Sequence, residues 1–269
     1  MSKQPFIRVR NLTMGWDDNI LQEDASFDVQ RGDIFVILGG SGCGKSTMLR
    51  HLIGLEVPKA GTIEIEGVKG SNLNVGRPPF GVMFQSGALL GSMTVGENIA
   101  LPLQEWTDLP PSAISAIVRS KLRLVGLQAA EDKLPSDLSG GMKKRAAIAR
   151  AMALEPELLF LDEPSAGLDP VSSVELDDLI LTLNKSFGLT VVLVSHELAS
   201  IFAIANTCIM LDPVSKSIIA RGNPAELRDT SDDPRVRRFF KREAGDPQES
   251  SAALSALDLR AVNAKEPRR

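Results

Sequence analysis

Apolar and polar residues alternate over Phe6 to Arg10 and again over Ala25 to Val29, with a polar turn at Asp17, Asp18 and Asn19 between them. Period-two alternation predicts strands with one buried face. Ile34 to Leu38 is apolar at every position and runs into glycines. Such an unbroken run suits a strand covered on both faces of a parallel sheet. From Ser46 onward Met48, Leu49, Leu52 and Ile53 recur at helical spacing until Gly54. Thr62 to Glu66 and Gly81 to Phe84 read as two more short strands.

Residues 94–154 read as helical throughout, with starts at Thr94, Ser112 and Ser139. Glu97 stands three residues after Thr94, the spacing of a capping box. Strand signals return at Leu158 to Leu161, Thr190 to Val194, Thr207 to Leu211 and Ser217 to Ala220. Helical stretches lie between them at 171–187 and 197–205, and short helices are predicted after Pro224 and Pro234. Strands, a helical block, then alternating strand and helix imply a mostly parallel sheet with a helical lobe inserted in it or appended to it. Residues 243–269 are rich in Ala, Ser, Asp and Glu, with one weak apolar cluster from Leu254 to Leu259. They are expected to form a mobile tail with one short helix.

Composition narrows the possible partners. The 269 residues include 30 basic and 34 acidic side chains, a net charge of −4. That is not the basic excess of a nucleic-acid binder, and no nucleic-acid partner is expected. The two cysteines, Cys43 and Cys208, make no secreted disulfide framework. The opening residues MSKQPFIRVR hold no apolar run, so no signal peptide is expected. The longest mostly apolar stretch, Leu198 to Leu211, is broken by Ser200, Asn206 and Thr207. It falls short of the ~18 apolar residues of a membrane span, so the chain is not expected to cross a bilayer by itself.

Three motifs carry candidate chemistry. Gly39-Gly40-Ser41-Gly42-Cys43-Gly44-Lys45-Ser46-Thr47 fits G-x-x-x-x-G-K-[ST]. It follows an apolar strand and opens a helix, so its N–H groups and the helix terminus can face one phosphate. Composition alone would produce the pattern in about one chain per hundred of this length, and the strand–loop–helix context makes chance rarer still. Lys45 can reach the β- and γ-phosphates, and the Ser46 hydroxyl can ligate Mg²⁺. Secondly, Leu158 to Leu161 delivers Asp162 and Glu163 to the end of a buried strand. Asp162 would hold Mg²⁺ through water, and Glu163 would polarise an attacking water. Thirdly, Ser139, Gly140 and Gly141 precede an apolar helix and make a second anion-binding helix start. Two such starts imply either two ligands or one ligand held between two chains. The basic run Lys143, Lys144 and Arg145 reads either as help for that anion or as a solvated face.

These motifs, with Gln85, Ser165 to Asp169 and His196, stand in the order of ABC-transporter ATPase subunits, which the chain resembles over residues 6 to about 241. The resemblance implies an α/β fold, a P-loop NTPase core with a mixed, mostly parallel sheet and a small antiparallel β region. It implies one ATPase domain over 5–242, with a helical subdomain at about 86–154 inserted in the core. ATP and Mg²⁺ are the implied cofactors. Gln85 resembles the glutamine that touches Mg²⁺ and the lytic water. Ser139, Gly140 and Gly141 resemble the signature that contacts ATP held by the other subunit of a homodimer. Asp162 and Glu163 resemble the magnesium ligand and catalytic base, Asp169 the aspartate at the dimer seam, and His196 the switch histidine on the γ-phosphate. Trp16 takes the place of the adenine-stacking aromatic in a chain without Tyr.

Met142 stands where the signature usually has Gln. That ending, with Phe84 to Leu89, is similar to ATPases of Mla-type transporters, which move phospholipid with an MCE-domain partner. The similarity implies a separate integral-membrane permease, phospholipid as the indirect substrate, and a peripheral place on the cytoplasmic side of the inner membrane. It also suggests that residues 231–242 and the tail help hold the dimer. Hydrolysis should survive Met142, because Ser139 and the backbone N–H groups remain. An importer of small solutes, an ABC protein acting on DNA or ribosomes, and a P-loop kinase are competing readings. The last two lack support in this chain, which has no tandem domain or coiled coil and does carry Ser139-Gly-Gly and His196. Cys43 is a small loop residue or a reactive thiol, and Cys208 is core. His51 reads as a surface residue. Trp106 reads as a membrane-partner contact or a capping contact.

Overall fold

The computed structural model describes residues 4–66, 77 and 79–242. The expected tail, 243–269, lies outside the described residues. The chain separates into two compact units, Met1–Pro224 and Ala225–Arg269.

The first unit holds two sheets. Strands β1 (Ile7–Trp16), β2 (Asn19–Val29) and β4 (Ala60–Ile65) form an antiparallel sheet in the order β2-β1-β4. Strands β3 (Ile34–Gly39), β5 (Gly81–Met83), β6 (Leu158–Asp162), β7 (Thr190–Val194), β8 (Thr207–Asp212) and β9 (Ser217–Gly222) form the second, in the order β5-β6-β7-β3-β8-β9. All its neighbours are parallel except β9, which pairs antiparallel with β8. β1 and β2 are longer than the alternation indicates, because register shifts interrupt the pairing beyond Val9 and hide the period.

β3 is buried at every position. Its five large side chains, Ile34 to Leu38, each contribute roughly 2 kcal/mol of burial. Phe27 of β2 stacks on Phe35 of β3 at 5.5 Å between centroids, which ties the two sheets together.

The helical block is three helices, each starting within one residue of Thr94, Ser112 or Ser139. They are α2 (Val95–Trp106), α3 (Pro111–Leu124) and α4 (Gly140–Ala151), with single 3₁₀ turns at Gln128–Ala130 and Pro135–Asp137. The breaks fall at Pro110-Pro111 and at Gly126, whose φ of 69° closes α3. The Thr94–Glu97 capping box forms as the spacing predicts. The helix α1 (Lys45–Leu52) follows β3, and α5 (Pro170–Phe187) runs from the Asp169 cap to Gly188 at φ 65°. The helix α6 (Leu198–Ile204) lies between β7 and β8 in sequence.

The predicted short helices are α7 (Pro224–Thr230), which starts at the unit boundary, and α8 (Pro234–Lys241) in the second unit. Asp233 caps α8 by accepting from the Arg235 N–H at 2.8 Å. Among the described residues no helix is long and apolar enough to cross a membrane.

One buried amide organises the lobe. Asn98 of α2 accepts from the Leu90 N–H at 2.8 Å and donates to the carbonyls of Leu90, Met93 and Thr94. It is fully buried, so no water can replace those partners cheaply. Asn98→Leu is expected to cost about 2–4 kcal/mol, read as a lower midpoint in urea unfolding. An unchanged midpoint would contradict this account.

Candidate active site

The carboxyl edge of the parallel sheet gathers the candidate residues. β3 ends at Gly39, where an added Cβ would lie 2.5 Å from the Leu211 carbonyl oxygen and from Cys43 Sγ. At Gly44, with φ 97°, a Cβ would press on the Met14 methyl at 2.8 Å. Only glycine therefore lets the loop turn tightly between the β1–β2 hairpin and the end of β8. A Cβ at Gly40 or Gly42 would meet nothing within 4 Å, so this rim of the loop is open. Lys45 Nζ lies over that rim and donates to the carbonyls of Gly39 at 2.9 Å and Gly40 at 3.1 Å. The cradle suits a phosphate.

Ser46, in the first turn of α1, donates its hydroxyl to Asp162 Oδ1 at 3.2 Å. Burial raises the Asp162 carboxyl above its ordinary range, and the Ser46 hydrogen bond opposes that shift. A hydroxyl and a carboxylate are hard oxygen donors, which fits Mg²⁺. Among the described residues no group of three or more His, Cys, Asp or Glu could hold a metal alone. An ion held by Ser46 and Asp162 would take its other ligands from phosphate and water.

Glu163 follows Asp162 with a left-handed backbone, φ 48°, and is only 7% exposed. Left-handed backbone at a buried glutamate is strained, and neighbouring contacts hold it there. Its N–H donates to the Val194 carbonyl at 3.0 Å, and its carboxylate Oε2 meets His196 Nδ1 at 2.8 Å. Glu163 and His196 lie just beyond the carboxyl ends of the adjacent parallel strands β6 and β7, which explains why residues so distant in sequence touch.

The other motifs are placed as follows. Ser139 caps α4 by accepting from the Met142 N–H at 3.3 Å, and Ser139 and Gly140 are exposed. A Cβ on Gly141 would lie 3.3 Å from Ser172, so the start of α4 packs closely on the start of α5. Asp169 caps α5, and its bonds to Ser172 hold its carboxyl below the ordinary range. Among the described residues no hydrogen bond links Ser139 to Gly141 with the loop of Gly39 to Thr47. None joins the exposed Gln85 side chain to Ser46 or Asp162. Trp16 is 50% exposed, two residues beyond Met14, whose methyl lies against Gly44.

Several readings change. Of the basic run, Lys144 is neither solvated nor placed for an anion. It is buried, and donates to the carbonyls of Gln85 and Glu163. Arg145 pairs instead with Glu175 at 3.7 Å. His51 is buried, not on the surface, with Nδ1 at 3.0 Å from the Glu56 carbonyl oxygen. Cys43 is fully buried and packs under Gly39, and burial pushes its thiol up against the pull of nearby Lys45. Cys208 is core, with its thiol pushed up to about 12.

Gln22 has no signal in the sequence. From β2 it donates to the carbonyls of Cys43 at 3.0 Å and Asp212 at 3.1 Å, pinning the loop from below.

Native Cys43 should resist iodoacetamide at about pH 8 equally with and without ATP, as followed by mass spectrometry. Rapid labelling that ATP blocks would show an exposed thiolate.

A family model described as ABC transporter matches residues 22–166. The intermembrane phospholipid transport system ATP-binding protein MlaF of Haemophilus influenzae is 38% identical over 249 residues, covering 91% of this chain and 93% of that protein. The probable ribonucleotide transport ATP-binding protein mkl of Mycobacterium leprae is 41% identical over 239 residues, covering 87% of this chain and 68% of that one. The dimeric structure of a post-hydrolysis state of the ATP-binding cassette MJ0796, bound to ADP and Pi, superposes with a TM-score of 0.71 at 26% identity, covering 81% of this chain and 98% of that one. With the phosphate cradle and the two carboxylates at one sheet edge, these matches show that the chain belongs to the ABC transporter family and carries its ATPase domain.

Proposed function

We propose that the chain hydrolyses ATP to power phospholipid transport between membranes. In this reading two identical copies act on a separate integral-membrane permease and an MCE-type lipid-binding protein. The hydrolytic part rests on one observation, the contact of Ser46 with Asp162 beside the Glu163–His196 pair. The cargo rests on the match to MlaF over nine-tenths of both chains.

The residues divide the work. The N–H groups of Gly39 to Thr47 and the Lys45 ammonium bind the phosphates, and Trp16 stacks on the adenine. Ser46 and Asp162 hold Mg²⁺, with Gln85 reaching it from its loop. Mg²⁺, when bound, offsets charge on the phosphate oxygens. Glu163 takes a proton from the attacking water, and His196 orients the Glu163 carboxylate. Ser139 and Gly140 are exposed, and with Gly141 they reach the nucleotide of the other copy, with Asp169 at the seam. The dimeric cassette MJ0796 supports that arrangement.

The ATPase domain spans 5–242, with its helical lobe at about 86–154. A cavity of about 670 Å³ between the core and the lobe is lined by Leu55, Phe80, Phe84, Pro102 and Trp106 among others. It is where the permease would press. The chain then sits peripherally on the cytoplasmic side of the inner membrane, where ATP is available.

Glu163→Gln should keep ATP affinity and lose about 10²–10⁴-fold in turnover, measured by phosphate release. Full turnover would remove Glu163 as the base. Lys45→Ala should weaken nucleotide binding on the order of 10²-fold, read with a fluorescent ATP analogue. The name of mkl keeps a second cargo, a small solute, in view. Purification from native membrane with mass spectrometry of bound proteins and lipids separates the two. An MCE protein with phospholipid supports the lipid reading, and a periplasmic solute-binding protein overturns it.

A further inference from the structure

Lys144 joins two segments that each carry a reacting side chain. It lies in the second turn of α4 and is 7% exposed. A buried ammonium is tolerated where acceptors converge on it. Here the acceptors are both main-chain carbonyls. One belongs to Gln85 and the other, at 3.2 Å, to Glu163.

The backbone of Glu163 is held in its left-handed conformation by few contacts. Its N–H reaches Val194 at 3.0 Å, and its carbonyl accepts from Ala166 at 3.2 Å. Val194 and Ala166 belong to strand β7 and to the turn after β6. Among the hydrogen bonds of the described residues, Lys144 alone ties the Glu163 main chain to α4. The same ammonium ties down Gln85, the second residue of the loop after β5. Arg150, further along α4, holds that loop again through the carbonyls of Gly87 and Ala88. The helix that starts at Ser139 to Gly141 therefore grips both Gln85 and Glu163 by their backbones.

We propose that Lys144 is a positioning residue for hydrolysis, locking the main chains of Glu163 and Gln85 to α4 so that the carboxylate and the amide are aligned together. The inference rests on the assignment of Glu163 as the base. A group that acts through alignment should affect kcat and leave nucleotide affinity alone, because the phosphate cradle is untouched.

The test compares full-chain Lys144→Met, Lys144→Gln, Lys144→Arg and Lys121→Met with the wild type and Glu163→Gln. Lys121 is a comparably buried lysine that pairs with Glu155 and touches neither Gln85 nor Glu163. Lys144→Met should hold its Kd for ATP within about twofold while kcat falls on the order of 10²-fold. Lys144→Arg, which keeps charge and donors, should recover most of the loss, and Lys121→Met should turn over normally. If Lys144→Met does not fold, Lys144→Gln against Lys144→Arg gives the same comparison. Wild-type kcat in Lys144→Met, or affinity, kcat and Tm falling together without rescue by Arg, would overturn the proposal. If Glu163→Gln stays inactive while Lys144→Met turns over normally, this inference alone fails. If Glu163→Gln turns over fully, the base assignment fails and takes the inference with it.

Discussion

Strand β3 has no free side. It is hydrogen-bonded in parallel to β7 and to β8, and every residue from Ile34 to Gly39 is buried. A strand so enclosed can release the chain only at its carboxyl end, and the order of the sheet changes direction around it. The phosphate loop forms there because backbone leaving a closed edge must turn at once, and glycine is what fits between Leu211 and Met14. β6 lies two places away, about 10 Å across the sheet. The loop cannot bridge that gap, so the contact is made by Ser46 in the first turn of α1, which reaches Asp162 at 3.2 Å.

Buried polar side chains hold the remaining loops against this frame. Gln22 pins the carbonyls of Cys43 and Asp212, Asn98 closes the turn before α2, and Lys144 clasps Gln85 and Glu163. Each gives main-chain carbonyls of irregular backbone a buried side-chain donor. Of these, Lys144 runs from the helical lobe to the ends of β5 and β6, while the sheet itself is held by apolar packing.

Much of the architecture was legible from local pattern. The unbroken run Ile34 to Leu38, the Thr94–Glu97 box and the Asp169-to-Gly188 helix each declare themselves within a few residues. The spacing of Gly39 to Thr47 did the same for the cradle, because a phosphate loop is a local object. The failures share one cause. Lys144 and Arg145 are adjacent in a charged run, yet one is buried and the other pairs at the surface with Glu175. Which face of α4 turns inward is set by its packing on α2 and β5, which lie distant in sequence. His51 is likewise buried, with Nδ1 against the Glu56 carbonyl oxygen, whereas Cys43 packs beneath Gly39 as a small residue of the loop.

The sequence by itself determined which segments form strands and helices, where the glycines must fall, and which residues can handle phosphate and a proton. These depend on backbone sterics and on hydrogen bonds a few residues long. Only the tertiary structure decided that Ser46 meets Asp162, that His196 meets Glu163, that Gln22 underpins the loop from β2, and that Lys144 faces inward. Those contacts depend on strand order and on the side from which each helix returns, and a one-dimensional pattern carries neither.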